Sequence, residues 1–183
     1  MRLFTAIDLP AEVLDKLESL ITTLRPLARI SWSPASNLHI TTKFIGHWPE
    51  EKLAELQRAL AGLASRAPIR IRIHGLGFHP SARSPHVFFA AVEPTRELAA
   101  LAEDINAALE NLNIPSETRP YSPHLTLARI KKPSGLAPFR REVDRFGQPD
   151  YGAFHADRFF LYLSKPGPSG SVYTKLSEFP FST

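Results

Sequence analysis

Apolar residues recur along this chain with two periods, one helical and one alternating. Val13, Leu14, Leu17, Leu20, Ile21 and Leu24 fall three and four apart and predict a helix from Ala11 to Arg25, ended by Pro26. Ahead of it, the short apolar run from Met1 to Leu9 reads as a first strand. Arg29–Ser33 is predicted as a short strand and Pro34–Asn37 as a turn. Pro49, followed by Glu50 and Glu51, opens a second helix in the favoured way, with proline at its start and acids in its first turn. Leu53, Leu56, Leu60 and Leu63 form that helix's buried stripe. Ile69-Arg70-Ile71-Arg72-Ile73 alternates strictly, as a half-buried strand with an arginine face does.

The pattern then starts again. His86–Pro94 repeats an apolar strand ending in an acid and a proline, and Pro94 follows Pro10 by 84 positions. Leu14, Leu17 and Ile21 return 84 positions on as Leu98, Leu101 and Ile105, and the second helix's stripe returns 83 on as Leu136, Phe139, Val143 and Phe146. Near-constant offsets through several elements indicate a duplicated strand–helix–strand–helix unit. Two further strands, Arg158–Ser164 and Ser171–Phe179, close the chain around a Pro- and Gly-rich connection. The expected architecture is a single α+β domain of two pseudo-symmetric lobes, with repeat units of about 1–80 and 85–183. Their antiparallel sheets face a central cleft, with helices on the outside.

Two strands carry candidate chemistry. Leu38-His39-Ile40-Thr41-Thr42-Lys43-Phe44 and Ser122-Pro123-His124-Leu125-Thr126-Leu127-Ala128-Arg129 each contain His-x-Thr, and His124 lies 85 positions after His39. Alternation puts His39 with Thr41, and His124 with Thr126, on one face of each strand. A single histidine on such a strand is usually a packed bystander; two copies of one polar pair in a duplicated frame weigh against that reading. Paired imidazoles supply a general acid and a general base, and paired hydroxyls donate to an anionic oxygen, which is the equipment of phosphodiester hydrolysis. Alternation also gives Lys43 the face of His39 and Thr41 and turns Arg129 away from His124. Only a bulge, a twist or the strand's end would bring Arg129 back.

Composition narrows the field. The chain has 183 residues, no cysteine and a net charge of +4, so disulfides, thiolate metal sites and thiol nucleophiles are excluded, and an anionic ligand is favoured. No apolar run approaches the roughly 18 residues of a membrane span, and the N-terminus lacks the features of a signal peptide, so a cytoplasmic protein is expected. His47, His74, His79, His86 and His155 match no metal-ligand spacing, and no metal or other cofactor is expected.

From Arg2-Leu3-Phe4 through Trp32, His39–Gly46, Pro123–Arg129 and Leu161–Ser164 to Tyr173, the chain resembles the two-histidine phosphoesterases. Within them it resembles the bacterial and archaeal RNA 2′,3′-cyclic phosphodiesterases, once called 2′-5′ RNA ligases. The resemblance implies His39 as proton donor to the departing 3′-oxygen and His124 as the proton acceptor that activates water. It also implies phosphate binding by Thr41, Thr126 and Arg129, to which the strand geometry adds Lys43. Phe4, Trp32 and Tyr173 are the candidates for stacking on a nucleobase, against the commoner fate of an aromatic, which is core packing. The basic segments Arg129–Lys132 and Arg140, Arg141 and Arg145 are the candidate guides for an RNA backbone. The implied partners are RNA ends bearing a 2′,3′-cyclic phosphate, tRNA halves among them, handled by a monomer. Ligation is the further activity implied by the family's older name. The competing readings are a phosphodiesterase of small cyclic phosphates, such as that of ADP-ribose, and a nucleotide-binding module of the same fold without catalysis.

Overall fold

A computed structural model describes residues 1–182. Nine strands and four helices follow in the order β1 (Arg2–Asp8), α1 (Ala11–Leu24), β2 (Ser31–Trp32), β3 (His39–His47), α2 (Leu53–Ala61), β4 (Ile69–His79), β5 (Val87–Val92), α3 (Arg96–Glu110), β6 (His124–Arg129), α4 (Ala137–Phe146), β7 (Asp150–Ala156), β8 (Arg158–Gly167) and β9 (Gly170–Pro180). They form the α+β arrangement expected from the pattern: two sheets, antiparallel throughout, with four helices.

The helices form where apolar stripes recur. Val13, Leu17, Leu20, Ile21 and Leu24 are the buried face of α1, and Leu98, Leu101 and Ile105 belong to that of α3. Thr95 caps α3 by accepting from the Leu98 N–H at 3.2 Å, which satisfies one of the donors a helix start leaves free. Pro49 opens a single 3₁₀ turn, Glu50–Lys52, and α2 proper begins at Leu53. That helix stops at Ala61, so Leu63 packs from the following loop. β1 is buried on both faces: Leu3 and Ile7 face the helices, while Phe4 and Ala6 join Phe160 and Tyr162 in a second cluster. Its run from Leu3 to Ile7, buried throughout and apolar but for Thr5, is what a central strand requires.

The sheets run in the order β3-β1-β8-β9 and β2-β6-β5-β4-β7. The spatial lobes are therefore not the two sequence units of about 1–80 and 85–183. β4 belongs to the first unit but joins the second sheet, and β8 and β9 belong to the second unit but join the first. The reason is proximity along the chain: only Pro80–His86 separate β4 from β5, and the two zip up as neighbours from His79↔Val87. β2 crosses as well, pairing Ser31 with Arg129 and Trp32 with Ala128. β7 is a strand that periodicity does not predict. Its Gly152, Ala153 and Ala156 give alternation too little apolar contrast to register.

Candidate active site

The two His-x-Thr strands occupy matching places, β3 beside β1 and β6 beside β5. Opposite β1, His39 faces Asp8, Ile40 faces Ile7 and Thr41 faces Ala6. The register then slips: Thr5 is opposite Lys43, and Thr42 is the additional residue. This β-bulge turns both Thr42 and Lys43 toward the core side. Thr42 shares a 2.6 Å hydroxyl hydrogen bond with Thr5, and Lys43, only 3% exposed, donates from Nζ to the Pro115 carbonyl at 2.7 Å. Alternation resumes with Phe44 opposite Phe4 on the histidine face.

β6 repeats the device. His124 is opposite Ala91, Leu125 opposite Ala90 and Thr126 opposite Phe89, and then Leu127 is the additional residue before Ala128 pairs with Phe88. Leu127 and Ala128 are both fully buried, and Arg129 returns exposed to the histidine face opposite Val87. A bulge is thus what redirects Arg129, and the same kind of bulge removes Lys43. Each strand presents three side chains on its site face: His39, Thr41 and Phe44 on one, His124, Thr126 and Arg129 on the other.

Both imidazoles are oriented in the same way. Nδ1 of His39 donates to the carbonyl of Asn37 at 2.6 Å, and Nδ1 of His124 to the carbonyl of Ser122 at 2.9 Å. A carbonyl only accepts, so the neutral rings carry their proton on Nδ1 and leave Nε2 for chemistry. Their surroundings differ. His39 stacks on Phe4 at 4.8 Å and meets the edge of Tyr173 at 5.2 Å, whereas His124 is exposed beside the edge of Phe89 at 5.7 Å. Burial pushes the His39 pKa below its ordinary value, against the Asn37 hydrogen bond and the Asp8 carboxylate, which raise it. Asp8 itself accepts from the Tyr162 hydroxyl and pairs with Lys175. Ala91 takes the place of that acid opposite His124. A cavity of about 440 Å³ opens beside His39, lined in part by Asp8, Asn37, Tyr162, Tyr173 and Lys175.

No backbone ladder joins β3 to β6, yet their Cα atoms come within 8 Å. Side chains make the joint. The Tyr121 hydroxyl donates to the Thr41 carbonyl at 2.7 Å, and Lys43 reaches Pro115 in the segment that leads into β6. Burial pushes the Tyr121 phenol well above the ordinary tyrosine range and the Lys43 ammonium below the ordinary lysine range, the latter against the pull of Glu117 and Glu110.

The expected residues therefore divide. His39, Thr41, His124, Thr126 and Arg129 lie on the two adjoining strands, with Tyr173 against His39. Lys43 is withdrawn by the bulge. Trp32 is not a stacking platform: its ring packs edge-on against Phe88 and Phe139, and its Nε1 donates to the Ala28 carbonyl. Phe4 is 4% exposed and lies between His39 and Tyr162, so it backs the imidazole and offers no free face to a base. Arg145 is held by Glu142 at 3.2 Å on an α4 whose charges nearly balance. Phe44 is the site residue that the sequence pattern misses. It is 62% exposed on the site face, 6.2 Å from Phe4. Its position 85 residues before Arg129 is the signal that could have found it.

Comparison with known proteins places this chain in a class. The chain belongs to the 2′-5′ RNA ligase superfamily, which its residues 13–167 match. Among its relatives are proteins named RNA 2′,3′-cyclic phosphodiesterase. That of Thermus thermophilus is 37% identical, over 98% of this chain and 89% of its own, and that of Methanocaldococcus jannaschii 30% identical, over 97% and 99%. The crystal structure of a Thermus thermophilus protein superposes with a TM-score of 0.82 at 35% identity, covering 99% of this chain and 98% of the other. E. coli LigT complexed with NADP+ superposes with 0.78 at 25% identity, covering 100% and 98%.

Proposed function

We propose that this protein is an enzyme that hydrolyses 2′,3′-cyclic phosphates at RNA ends, leaving a 2′-phosphomonoester, without a metal ion. One observation carries the proposal: two imidazoles, each with Nδ1 held by the carbonyl two residues earlier, each present Nε2 on a strand face shared with a threonine hydroxyl. In the reaction His124 Nε2 takes a proton from water as the water oxygen bonds to phosphorus. The bond from phosphorus to the 3′-oxygen breaks, and protonated His39 Nε2 gives its proton to that oxygen. Thr41, Thr126 and Arg129 donate to the non-bridging oxygens. Asp8 is the asymmetry between the two strands that bears on this polarity: its carboxylate raises the proton affinity of His39, against the larger opposing effect of burial, and Ala91 stands in its place opposite His124. Phe44 and Tyr173 are the surfaces on which the nucleobase packs. A 5′-hydroxyl RNA end in place of water would give a 2′-5′ linkage by the same displacement of the 3′-oxygen.

The test is turnover of an RNA oligonucleotide ending in a 2′,3′-cyclic phosphate, in excess chelator, with the product read by phosphorus NMR. A 2′-phosphate product, with kcat lowered at least ~10²-fold by His39→Ala or His124→Ala, is the expected result. A 3′-phosphate product, wild-type turnover in His124→Ala, or loss of activity in chelator that one divalent ion restores would overturn it.

A further inference from the structure

Charge is distributed unevenly around the second sheet. Three chain segments run side by side at its β2–β6 edge: Ala28–Pro34, His79–Phe89 and Ala128–Gly135. Ser31 and Val87 both pair with Arg129, and the Ile130 N–H donates to the His86 carbonyl at 2.8 Å just beyond the strand. These segments contain no aspartate or glutamate. They carry Arg29, Arg83, Arg129, Lys131 and Lys132, all exposed and none in an ion pair among the described residues. The whole chain's net charge is +4, so these five uncompensated cations exceed it, and the rest of the surface is close to neutral or acidic. α4 provides the contrast, because Arg140, Arg141 and Arg145 there are mixed with Glu142 and Asp144.

This basic edge is continuous with the site. β6 starts at His124, reaches Arg129 on the site face, and carries the chain on to Lys131 and Lys132, a path of roughly 25 Å at strand rise. The antiparallel register of β2 with β6 directs Arg29 toward the same stretch. A 2′,3′-cyclic phosphate terminates its RNA, so every further nucleotide lies on the 5′ side and its phosphates must leave the site in one direction. Resting on the cyclic-phosphate reading, we infer that the β2–β6 edge is the track for that RNA backbone, with Arg83, Lys131 and Lys132 contacting phosphates beyond the reacting one. Substrate preference then follows from charge: a polynucleotide end gains contacts that a mononucleotide or other small cyclic phosphate lacks.

The experiment compares wild type with the triple variant Arg83→Ala/Lys131→Ala/Lys132→Ala on two substrates, a mononucleoside 2′,3′-cyclic phosphate and a single-stranded RNA with the same end. Direct binding of the RNA's 2′-phosphate product, read by fluorescence anisotropy, needs no turnover and separates this inference from the catalytic one. With ~0.7 of a unit of salt slope per phosphate contact, three lost contacts flatten the slope for RNA by about 2. Wild-type kcat/KM and affinity for RNA should therefore fall ~16-fold more than the variant's over a fourfold rise in salt. The mononucleoside rate should stay within about twofold, and Arg140→Gln/Arg141→Gln should change neither. Equal loss on both substrates, or an RNA salt slope unchanged by the triple variant, would overturn the track. RNA binding that follows the predicted slope in a protein without turnover would uphold the track and refute the catalytic reading.

Discussion

Replacing Tyr121 with Phe tests whether the joint between the two motif strands sets the reaction geometry. The ring stays and only the hydroxyl is lost, so the Thr41 carbonyl loses the donor that reaches it across the strands. Because burial keeps the phenol protonated far beyond neutral pH, that donor is present under every useful assay condition. A lost hydrogen bond of this type costs about 1 to 1.5 kcal/mol of stability, which lowers Tm by roughly 2–6 °C in a domain of this size. Catalysis should suffer more. In-line transfer depends on sub-ångström placement of acid, base and phosphorus, and a 1 Å error costs about 10²-fold. A partial relaxation of β6 against β3 should lower kcat ~10-fold while KM changes less than about twofold. The decisive measurement is a double-mutant cycle with His124→Ala, assayed well below Tm. If Tyr121 acts by placing one histidine relative to the other, its effect should nearly vanish once His124 is gone. Wild-type kcat in Tyr121→Phe, or the same tenfold loss in the His124→Ala background, would refute the reasoning.

The pH–rate profile should be bell-shaped, and Asp8→Asn should move its basic limb to lower pH, because the Asp8 carboxylate raises the proton affinity of His39 and its removal leaves only the Asn37 hydrogen bond to oppose burial. His39's pKa lies below its unfolded value, so its contribution to stability is present above about pH 6.5 and lost as pH falls. Thermal melts of His39→Gln should accordingly show a shallower acid decline than wild type. Arg129→Ala should reduce kcat/KM at least ~10-fold, whereas Lys43→Met, which replaces a buried cation by an apolar chain of similar length, should leave KM within about twofold. Phe44→Ala should raise KM for a nucleoside cyclic phosphate, by up to the ~1–3 kcal/mol of one stacking contact, with Phe44→Tyr restoring it.

Periodicity locates most of the fold because its helices and most of its strands bury one face each. Where it fails, the cause is a local departure from period two or from sequential pairing. Lys43 and Arg129 are the clearest cases. An additional residue, Thr42 in β3 and Leu127 in β6, reverses the face of the residues next after it, and β3 shifts once more at Ile45. A histidine and threonine ahead of the bulge are legible, and the residues after it are not. Trp32 is unreadable for another reason: its strand is two residues long and joins the opposite sheet, so its neighbours Phe88 and Phe139 are far away in sequence. Phe44 escapes notice because an apolar residue in an apolar strand looks like core. Only its match with Arg129 and its exposure separate it from Ile40.

The exchange of strands between sheets bears on how this protein can fail. Strands from before and after Pro80–His86 build each of the two sheets. A cut there would leave β4 without β5 and β7, and β1 without β8 and β9. Neither piece keeps an intact sheet, and one hydrophobic core runs through both. The two halves of the site therefore cannot be lost one at a time. Unfolding should abolish the His39 and His124 environments in a single transition, and a truncated chain should retain neither half of the acid–base pair.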